Sequence, residues 1–353
     1  MDAPRRDLDE ILDAAGDDLR RFANARLYVT GGTGFVGRWL LAAIAHANER
    51  LATAIRADVL TRDPDAFARA APRLAANPAF RVLRGDVAAP VADGAYDGVV
   101  HAATPASAAL NEAQPETMLA IIVDGVRGVL RDVVEPSGAI PVLFTSSGAV
   151  YGRQPPELAR VPETYGGGPD PLDPGSAYHE GKRVAELALA VAQARGTGRV
   201  RVARLFAFLG PGLPLDAHYA AGNFVRDALA GGPVRVGGDG TPYRSYLYPT
   251  DMIAWCLAVF ARGADARAYN VGSDEAISIG ELAARVARAA GDGVTVNIAR
   301  APVPNAPAQR YVPDPARIVA ELGVRRTVGL DEAIARTLAA HRAQPAKTSS
   351  AAT

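Results

Sequence analysis

Short apolar runs alternate with longer segments of helical periodicity over the first two-thirds of the chain. Six of these runs are typical of strands buried in a sheet, at residues 26–30, 57–61, 81–87, 96–103, 141–147 and 200–205. Helical segments separate the strands, with long ones near 116–135 and from residue 178 onward. Strands and helices that alternate at this spacing predict an α/β fold with a doubly wound parallel sheet.

The pattern changes at both ends of this region. Apolar positions recur at helical spacing over residues 5–24, which predicts an amphipathic helix in an N-terminal extension of residues 1–24. This helix packs on its own domain or, alternatively, on a second copy of the chain. Shorter mixed elements follow residue 209 and predict a smaller mixed α/β lobe over 209–344, after a sheet domain over 25–208. Residues 345–353 are expected to be a disordered tail.

A glycine-rich turn joins the first strand to the helix that follows it. Residues 30–37 read TGGTGFVG, and a helix is predicted from Arg38 to Glu49. Strand, glycine turn and helix in this order are typical of dinucleotide sites, where glycines let the backbone approach a pyrophosphate. The free N–H groups at the start of the helix then face the phosphates. The alternative is a connector without a ligand, but its position and flanks favour a cofactor site.

The ends of the second and third strands bear on the choice of dinucleotide. NAD-selective sites usually have a carboxylate at the end of the second strand, whereas this chain has Arg62 after Thr61. A guanidinium suits a 2′-phosphate better than a free diol, so Arg62 favours NADP(H) over NAD(H). Alternatively, Arg62 forms a salt bridge or lies over the adenine, and NAD(H) binds. Asp86, after the third strand, either accepts from the adenine amino group or caps the next segment.

A tyrosine and a lysine four residues apart provide the candidate chemistry. Tyr178 and Lys182 lie in a segment rich in helix formers, so both side chains share one helix face. An ammonium beside a phenol lowers the tyrosine pKa from about 10, which suits general acid–base catalysis. Such pairs also occur by chance on helix surfaces. Ser147, however, ends the fifth strand, at the edge where parallel sheets bind ligands, and its position favours a catalytic pair.

Composition and charge argue against several other classes of function. Lys+Arg and Asp+Glu are both 38 and the formal net charge is zero, so no nucleic-acid or anionic-membrane partner is expected. No apolar run is long enough to span a membrane, and the charged N-terminus lacks a signal-peptide core. The single cysteine, Cys256, excludes an internal disulfide and fits a cytoplasmic location. The five histidines lack metal-ligand spacing, so no metal site is expected.

Several motifs occur together in one order along the chain after residue 24. They are TGGTGFVG (30–37), Asp86-Val87, HAATPAS (101–107), SSGAVYG (146–152), Tyr178 and Lys182, Gly210-Pro211, GNF (222–224) and YRSY (243–246). With these motifs the chain resembles the extended short-chain dehydrogenase/reductase family, in its nucleotide-sugar epimerase/dehydratase branch. The resemblance implies a Rossmann-type NAD(P)-binding domain with the catalytic residues over 25–208. It also implies a mainly substrate-binding lobe over 209–344.

The resemblance assigns roles to individual residues. Tyr178 resembles the catalytic acid/base, Lys182 the residue that holds the nicotinamide ribose, and Ser147 the hydroxyl that hydrogen-bonds the reacting oxygen. Substrate contacts are expected from Thr104, Ser147, Asn223 and Arg244, of which Arg244 would grip the diphosphate of a nucleotide-diphosphate sugar. The cofactor-binding residues are expected to be Gly31, Thr33, Gly34, Phe35, Val36, Arg62, Asp86, Val87, Ala102 and Ala103, with Tyr178 and Lys182. A homodimer built on the helices near 116–135 and 178–195 is also implied.

Three positions depart from the patterns of this branch. Gly148 and Ala149 occupy the places of the Asp-Glu pair of 4,6-dehydratases, and UDP-glucuronate decarboxylases, which share other motifs with this chain, keep a glutamate at the second place. Ala207 replaces the usual asparagine after the sixth strand. The expected activity is 4-ketoreduction of a nucleotide sugar, with 4-epimerisation as the alternative and decarboxylation or 4,6-dehydration ranked lower. A regulatory NAD(P)-binding protein without catalysis is the non-enzyme alternative. The Pro/Gly-rich loop 152–176 forms part of the substrate entrance or a rigid surface excursion.

Overall fold

The computed structural model has a parallel sheet at its centre, and the structure describes residues 3–105, 107–216 and 219–343. In chain order the strands are β1 (Arg26–Thr30), β2 (Arg56–Thr61), β3 (Phe80–Arg84), β4 (Gly98–His101), β5 (Pro141–Ser147), β6 (Arg199–Leu205), β7 (Val234–Val236), β8 (Tyr243–Arg244), β9 (Arg267–Val271), β10 (Ile277–Ser278), β11 (Val296–Ile298) and β12 (Arg310–Tyr311). Seven of them form the central sheet in the order β3-β2-β1-β4-β5-β6-β9, with every neighbouring pair parallel. The order reverses between β1 and β4, where doubly wound sheets bind ligands, and the predicted fold class is confirmed.

Helices cover both faces of this sheet. In chain order they are α1 (Arg5–Arg20), α2 (Phe35–Leu51), α3 (Pro64–Ala70), α4 (Pro72–Ala75), α5 (Ala108–Ala113), α6 (Pro115–Val129), α7 (Glu135–Ser137), α8 (Ala177–Ala194), α9 (Ala220–Leu229), α10 (Pro249–Arg262), α11 (Ile279–Ala290), α12 (Ala316–Leu322) and α13 (Leu330–Arg342). A π-helical turn, Leu130–Val134, continues α6, and a 3₁₀ turn, Gly148–Tyr151, follows β5.

Two apolar cores sandwich the sheet. One lies under α1, α2, α10 and α12, and the other under α6 and α8. β5 is buried along its full length, because helices lie above and below it, and this explains its unbroken run of apolar and small residues. The carboxyl end of β5 therefore places Ser147 at the edge of the sheet.

The N-terminal helix α1 packs on its own chain. Ile11, Ala15 and Leu19 are buried against α2 and α10. Asp7 is buried as well: its carboxylate accepts from the Tyr248 hydroxyl at 2.7 Å and from Arg336 Nη1 at 2.9 Å. Burial raises the pKa of Asp7, while these two donors and the positive charge oppose the rise. The extension is thus anchored by a buried polar contact as well as by its apolar face.

The segment after residue 209 contributes both to a separate C-terminal lobe and to the central sheet with its core. α9, α11 and α13 surround a separate apolar core with β7, which pairs with β11, while β8 lies between β10 and β12. α10 and β9, however, belong to the central sheet and its core, so the boundary expected at 209 does not separate the two parts. The reason is that α10 is buried from Pro249 to Phe260, and a helix that is apolar all round needs a core on every side.

The structure also bears on the predicted strand over 244–248 and on membrane-spanning and metal-binding segments. A strand predicted over 244–248 is limited to β8, because Leu247 N instead donates to Ala207 O at 3.1 Å. Within the described ranges no helix combines the length and apolar character needed to cross a bilayer. The same ranges hold no group of three or more His, Cys, Asp or Glu side chains arranged for a metal ion. The expected tail, 345–353, lies outside the described residues, and the homodimer stays a prediction.

Candidate active site

The turn between β1 and α2 is built around glycines that no other residue could replace. Gly31 has a φ of +70°, and a Cβ there would lie 2.3 Å from Ala102 O. A Cβ on Gly37 would lie 2.2 Å from Gly31 O. Both distances from an added Cβ are far below van der Waals contact, so a side chain at either position would clash with backbone. The glycines therefore allow the turn, the start of α2 and the end of β4 to pack backbone against backbone. Ala102 and Ala103, the expected small residues, are at this contact.

The same turn leaves donors free at the start of α2. The helix begins at Phe35, three residues earlier than predicted, with Gly34 as its N-cap and without a side-chain cap or an acid in the first turn. The first N–H groups of a helix have no partner within the helix, and they carry its positive dipole end. Gly34 N is already engaged, because it donates to Gly31 O at 3.0 Å. The N–H groups of Phe35 and Val36, with Thr33 before them in the turn, are therefore the ones that could hold the pyrophosphate of a dinucleotide.

The ends of β2 and β3 carry arginines where an adenine ribose would lie. Arg62 is exposed directly after β2, and its carbonyl accepts from Arg84 Nη1 at 3.3 Å. The neighbouring carboxylate of Asp63 caps α3 by accepting from Ala66 N at 2.9 Å. Both side chains are exposed, but the Asp63 carboxylate is engaged in capping, so the guanidinium of Arg62 is the charged group available to a ligand at this strand end.

Asp86 and Val87 follow β3 and have structural contacts of their own. The Asp86 carboxylate accepts from Ala88 N at 2.9 Å, which is the capping alternative considered above. Val87 packs against α6, where a Cβ on Gly125 would lie 3.0 Å from Val87 Cγ1. A contact of Asp86 with adenine stays a prediction.

Lys182 is buried under the carboxyl end of the sheet. Its side chain is 2 % exposed, and Nζ donates to Thr104 Oγ1 at 2.9 Å and to Thr145 O at 2.8 Å. Nζ also lies 4.6 Å above the centre of the Phe144 ring. Thr104, expected to contact substrate, is thus a partner of the lysine. The contacts fix the ammonium below the point where β4 and β5 end.

Burial controls the acid–base state of this group of residues. Burial lowers the pKa of Lys182 to about 7 and that of the neighbouring His101 to about 3, because a charge loses its hydration. Burial likewise raises the pKa of Tyr178, although its hydrogen bond with Ser147 opposes the rise. The expectation that Lys182 lowers the Tyr178 pKa is therefore not met, since Lys182 is directed toward Thr104 and Thr145.

Ser147 connects two phenols at the end of β5. Its Oγ accepts from Ala149 N at 3.1 Å and lies 3.4 Å from the Tyr311 hydroxyl, and it lies near enough to Tyr178 to oppose the rise in the pKa of that phenol. Tyr311 is not among the residues predicted from the sequence. It lies on the two-residue strand β12, packs on Phe206 with ring centres 4.7 Å apart, and keeps a raised pKa because it is buried.

The substrate-side residues reach this group from β8 and α9. Arg244 pairs with Tyr311 across β8 and β12, so the expected diphosphate-binding guanidinium stands next to the phenols. Tyr219, the residue before α9, raises the pKa of Tyr178 by its proximity. Asn223 lies one turn into α9, and its amide oxygen accepts from Arg226 Nη1 at 3.1 Å. The structure thus brings Ser147, Tyr178 and Tyr311 together with Arg244 beside them. The Asn223 amide is instead hydrogen-bonded to Arg226.

Comparison with known proteins identifies the family of the chain. Residues 27–272 match the NAD dependent epimerase/dehydratase family. The chain belongs to this family. It is 29% identical over 312 residues to UDP-glucuronic acid decarboxylase 5 of Arabidopsis thaliana, covering 88% of each chain. UDP-glucose 4-epimerase of Thermus thermophilus, solved with NAD, has 26% identity and a TM-score of 0.71 over 90% of this chain and 99% of that chain.

A further solved structure supports the fold alone. DesIV of Streptomyces venezuelae, a dTDP-glucose 4,6-dehydratase with NAD and TYD bound, has 24% identity and a TM-score of 0.73, covering 90% of this chain and 97% of its own. The family and the Rossmann-like fold implied by the sequence motifs are confirmed. UDP-glucuronic acid decarboxylases 5 and 3 of Arabidopsis thaliana are among the curated relatives, and the sequence-based expectation ranked decarboxylation below ketoreduction.

The positions that depart from the family pattern lie next to Ser147. Ala149 is partly exposed and donates its N–H to Ser147 Oγ. Gly148 is buried, and a Cβ there would lie 2.5 Å from the Phe206 ring, so no acidic side chain fits while Phe206 stays in place. The end of β5 and the 3₁₀ turn that follows it therefore present the Ser147 hydroxyl and backbone groups to a substrate, but no carboxylate.

Proposed function

We propose that the protein catalyses hydride transfer between a nicotinamide dinucleotide and C4 of a nucleotide-diphosphate sugar, in the direction of 4-ketoreduction. The observation that carries this proposal is the set of Ser147, Tyr178 and Lys182 at the sheet edge beside the glycine turn, with Gly148 and Ala149 in place of acids. General acid–base catalysis by one phenol is sufficient for a ketone and an alcohol to interconvert.

The protonation state of the phenol favours reduction. A bound nicotinamide dinucleotide would supply or accept the hydride. Because burial raises the pKa of Tyr178, its hydroxyl is protonated at neutral pH and can give a proton to the oxygen of a 4-keto sugar. Ser147 holds the same oxygen, and Lys182 holds the ribose beside it. Oxidation of a hydroxyl, the first step of epimerisation or of decarboxylation, needs the opposite protonation state of Tyr178.

Decarboxylation is the second candidate, and the curated relatives favour it. Oxidation at C4 of a uronic acid gives a β-keto acid, which loses CO₂ without a dedicated base. The two cations Arg244 and Arg310 lie on adjacent strands β8 and β12 and could hold a diphosphate or a sugar carboxylate. Ala149, which stands at the place where decarboxylases keep a glutamate, weakens this candidate.

Product analysis separates the candidates. Purified protein incubated with NADPH and a nucleotide-linked 4-keto sugar is expected to oxidise the cofactor once per sugar reduced, as measured by absorbance and by mass spectrometry of the product. Incubation with UDP-glucuronic acid and NAD is the parallel reaction. Release of CO₂ there, with no ketone reduction in the first reaction, would replace ketoreduction by decarboxylation. A C4 epimer formed with no net change in cofactor would assign epimerisation.

The cofactor preference depends on Arg62. Arg62→Ala is expected to weaken NADPH binding about 10- to 100-fold and NADH binding little, because a charge-assisted contact to the 2′-phosphate is worth about 1.5–3 kcal/mol. Fluorescence titration with both cofactors measures the two affinities. Arg56→Ala is the matched control, since Arg56 is exposed at the opposite end of β2. Equal losses of affinity for NADPH and NADH would show that Arg62 does not contact the 2′-phosphate.

A further inference from the structure

A buried ion pair lies directly behind the catalytic residues and has no part in the chemistry described above. Glu186 Oε2 lies 2.6 Å from Arg204 Nη2, and Arg204 Nε donates to Glu186 Oε1 at 3.0 Å. The two side chains are only 15% and 16% exposed. Such a bidentate pair fixes both geometry and charge.

The pair contacts the strand end that carries the catalytic serine. Ser146 Oγ donates to Glu186 Oε1 at 2.6 Å, and Ser146 precedes Ser147 in β5. Arg204 Nη1 extends the network by donating to the Tyr151 hydroxyl at 2.9 Å. Glu186 therefore ties helix α8, which carries Tyr178, to the end of β5 and to the 3₁₀ turn behind it.

Glu186 also faces the buried lysine. It follows Lys182 by four residues on α8, so the two side chains share one helix face. Lys182 makes its hydrogen bonds to neutral oxygens, those of Thr104 and Thr145. The negative charge of Glu186 partly offsets the effect of burial on the lysine.

We propose that Glu186 is a positioning residue of the active site: its carboxylate fixes the β5 end that carries Ser147 and supplies the negative charge that Lys182 faces. The other groups around Lys182 cannot supply that charge. His101 and Tyr178 are neutral at pH 7 because burial shifts the pKa of each toward its uncharged form, and Arg204 is a cation. This inference deepens the proposed function and rests on its assignment of Lys182 to the cofactor site, but not on the identity of the sugar.

The lysine content of the chain allows a direct test. Lys182 and Lys347 are the two lysines of the sequence, so a Lys347→Arg background leaves Lys182 as the one lysine signal in protein labelled with ¹³C-lysine. NMR titration of this signal in the free protein gives the Lys182 pKa without substrate or cofactor. The outcome is therefore independent of whether ketoreduction is the right reaction.

Opposite substitutions in the ion pair should have opposite effects. Glu186→Gln is expected to lower the Lys182 pKa by about one unit, because it removes the anion and leaves Arg204 unpaired. Arg204→Gln is expected to raise it, because Glu186 then acts on Lys182 alone. Structural damage that admits water would shift both variants in the same direction. Glu180→Gln, which removes an acid from the same helix, is the matched control and is expected to leave the pKa unchanged.

Cofactor titration is the second readout. Glu186→Gln is expected to bind NADPH about tenfold more weakly at pH 8, where a smaller fraction of Lys182 is then charged, and almost normally at pH 6. A Lys182 pKa that is equal in the Glu186→Gln and Glu180→Gln variants, or shifts of the same sign in Glu186→Gln and Arg204→Gln, would overturn the electrostatic role. If Glu186→Gln does not fold, the sign of the Arg204→Gln shift decides the question alone.

Discussion

Tyr178→Phe is expected to lower kcat by about 10³-fold, because a positioned general acid contributes about 10²–10⁴-fold to the rate. The substitution removes one oxygen and leaves the ring, so the helix and the packing against Ser147 should persist. Cofactor binding should change little, since Lys182 and the glycine turn are untouched. Single-turnover reduction of the keto sugar, followed by cofactor absorbance, measures the chemical step directly.

Tyr311→Phe is the matched control for this experiment. It removes the hydroxyl of a second, partly buried tyrosine that lies 3.4 Å from the same serine oxygen, and removing one neutral hydrogen bond should cost about tenfold or less in kcat. A Tyr178→Phe variant that loses no more than Tyr311→Phe would show that Tyr178 does not carry the proton. A larger loss of kcat in Tyr311→Phe than in Tyr178→Phe would assign the proton transfer to Tyr311.

Lys182→Met is expected to weaken cofactor binding and to stabilise the fold at the same time. Loss of the ammonium should weaken NADPH and NADH about 10- to 100-fold, because hydrogen bonds from a charged group are worth about 1.5–3 kcal/mol. An apolar side chain of similar length no longer requires a buried charge, which is expected to raise the free energy of unfolding by about 1–4 kcal/mol. Fluorescence titration and urea unfolding measure the two effects separately.

The stability gain has a defined pH dependence. The pKa of Lys182 is about 7 in the folded protein, against an ordinary value of 10.5. Between these values the unfolded chain binds a proton that the folded protein does not, so wild-type stability rises with pH across this window. The advantage of Lys182→Met should therefore be full below pH 7 and disappear toward pH 10.5. A constant difference at all pH values would mean that packing, rather than the buried charge, stabilises the variant. Lys347→Met is the control for loss of a lysine elsewhere.

Local patterns predicted much of the fold and part of the site. The glycine turn, the strand ends and the Tyr178–Lys182 spacing are each set by a few consecutive residues. The boundaries of β1 and β5 follow from short apolar runs, and the fold class follows from their alternation with helices. The structure brings Ser147, Tyr178 and Lys182 together because α8 packs beside β5, as the order of elements in a doubly wound sheet requires.

Contacts between distant segments could not be predicted in the same way. Tyr311 meets Ser147 across 164 residues, on a two-residue strand that has no periodicity to reveal it. The raised pKa of Tyr178 is a second example, because it arises from burial, and the Lys182 ammonium is directed toward Thr104 and Thr145. β9 returns to the central sheet after a lobe has formed, and no local pattern marks that return.

The N-terminal helix has a consequence for how the protein is made. The Asp7 carboxylate binds Arg336, which is 329 residues away, and the Tyr248 hydroxyl, 241 residues away. A ribosome adds roughly 5–20 residues per second, so α1 leaves the exit tunnel roughly 20–60 s before the last of its partners exists. Until α10 has been synthesised, the apolar face of α1 has only α2 to pack against, and the part that later contacts α10 is uncovered on the nascent chain. A chaperone that shields α1 during synthesis is therefore expected to raise the yield of folded protein.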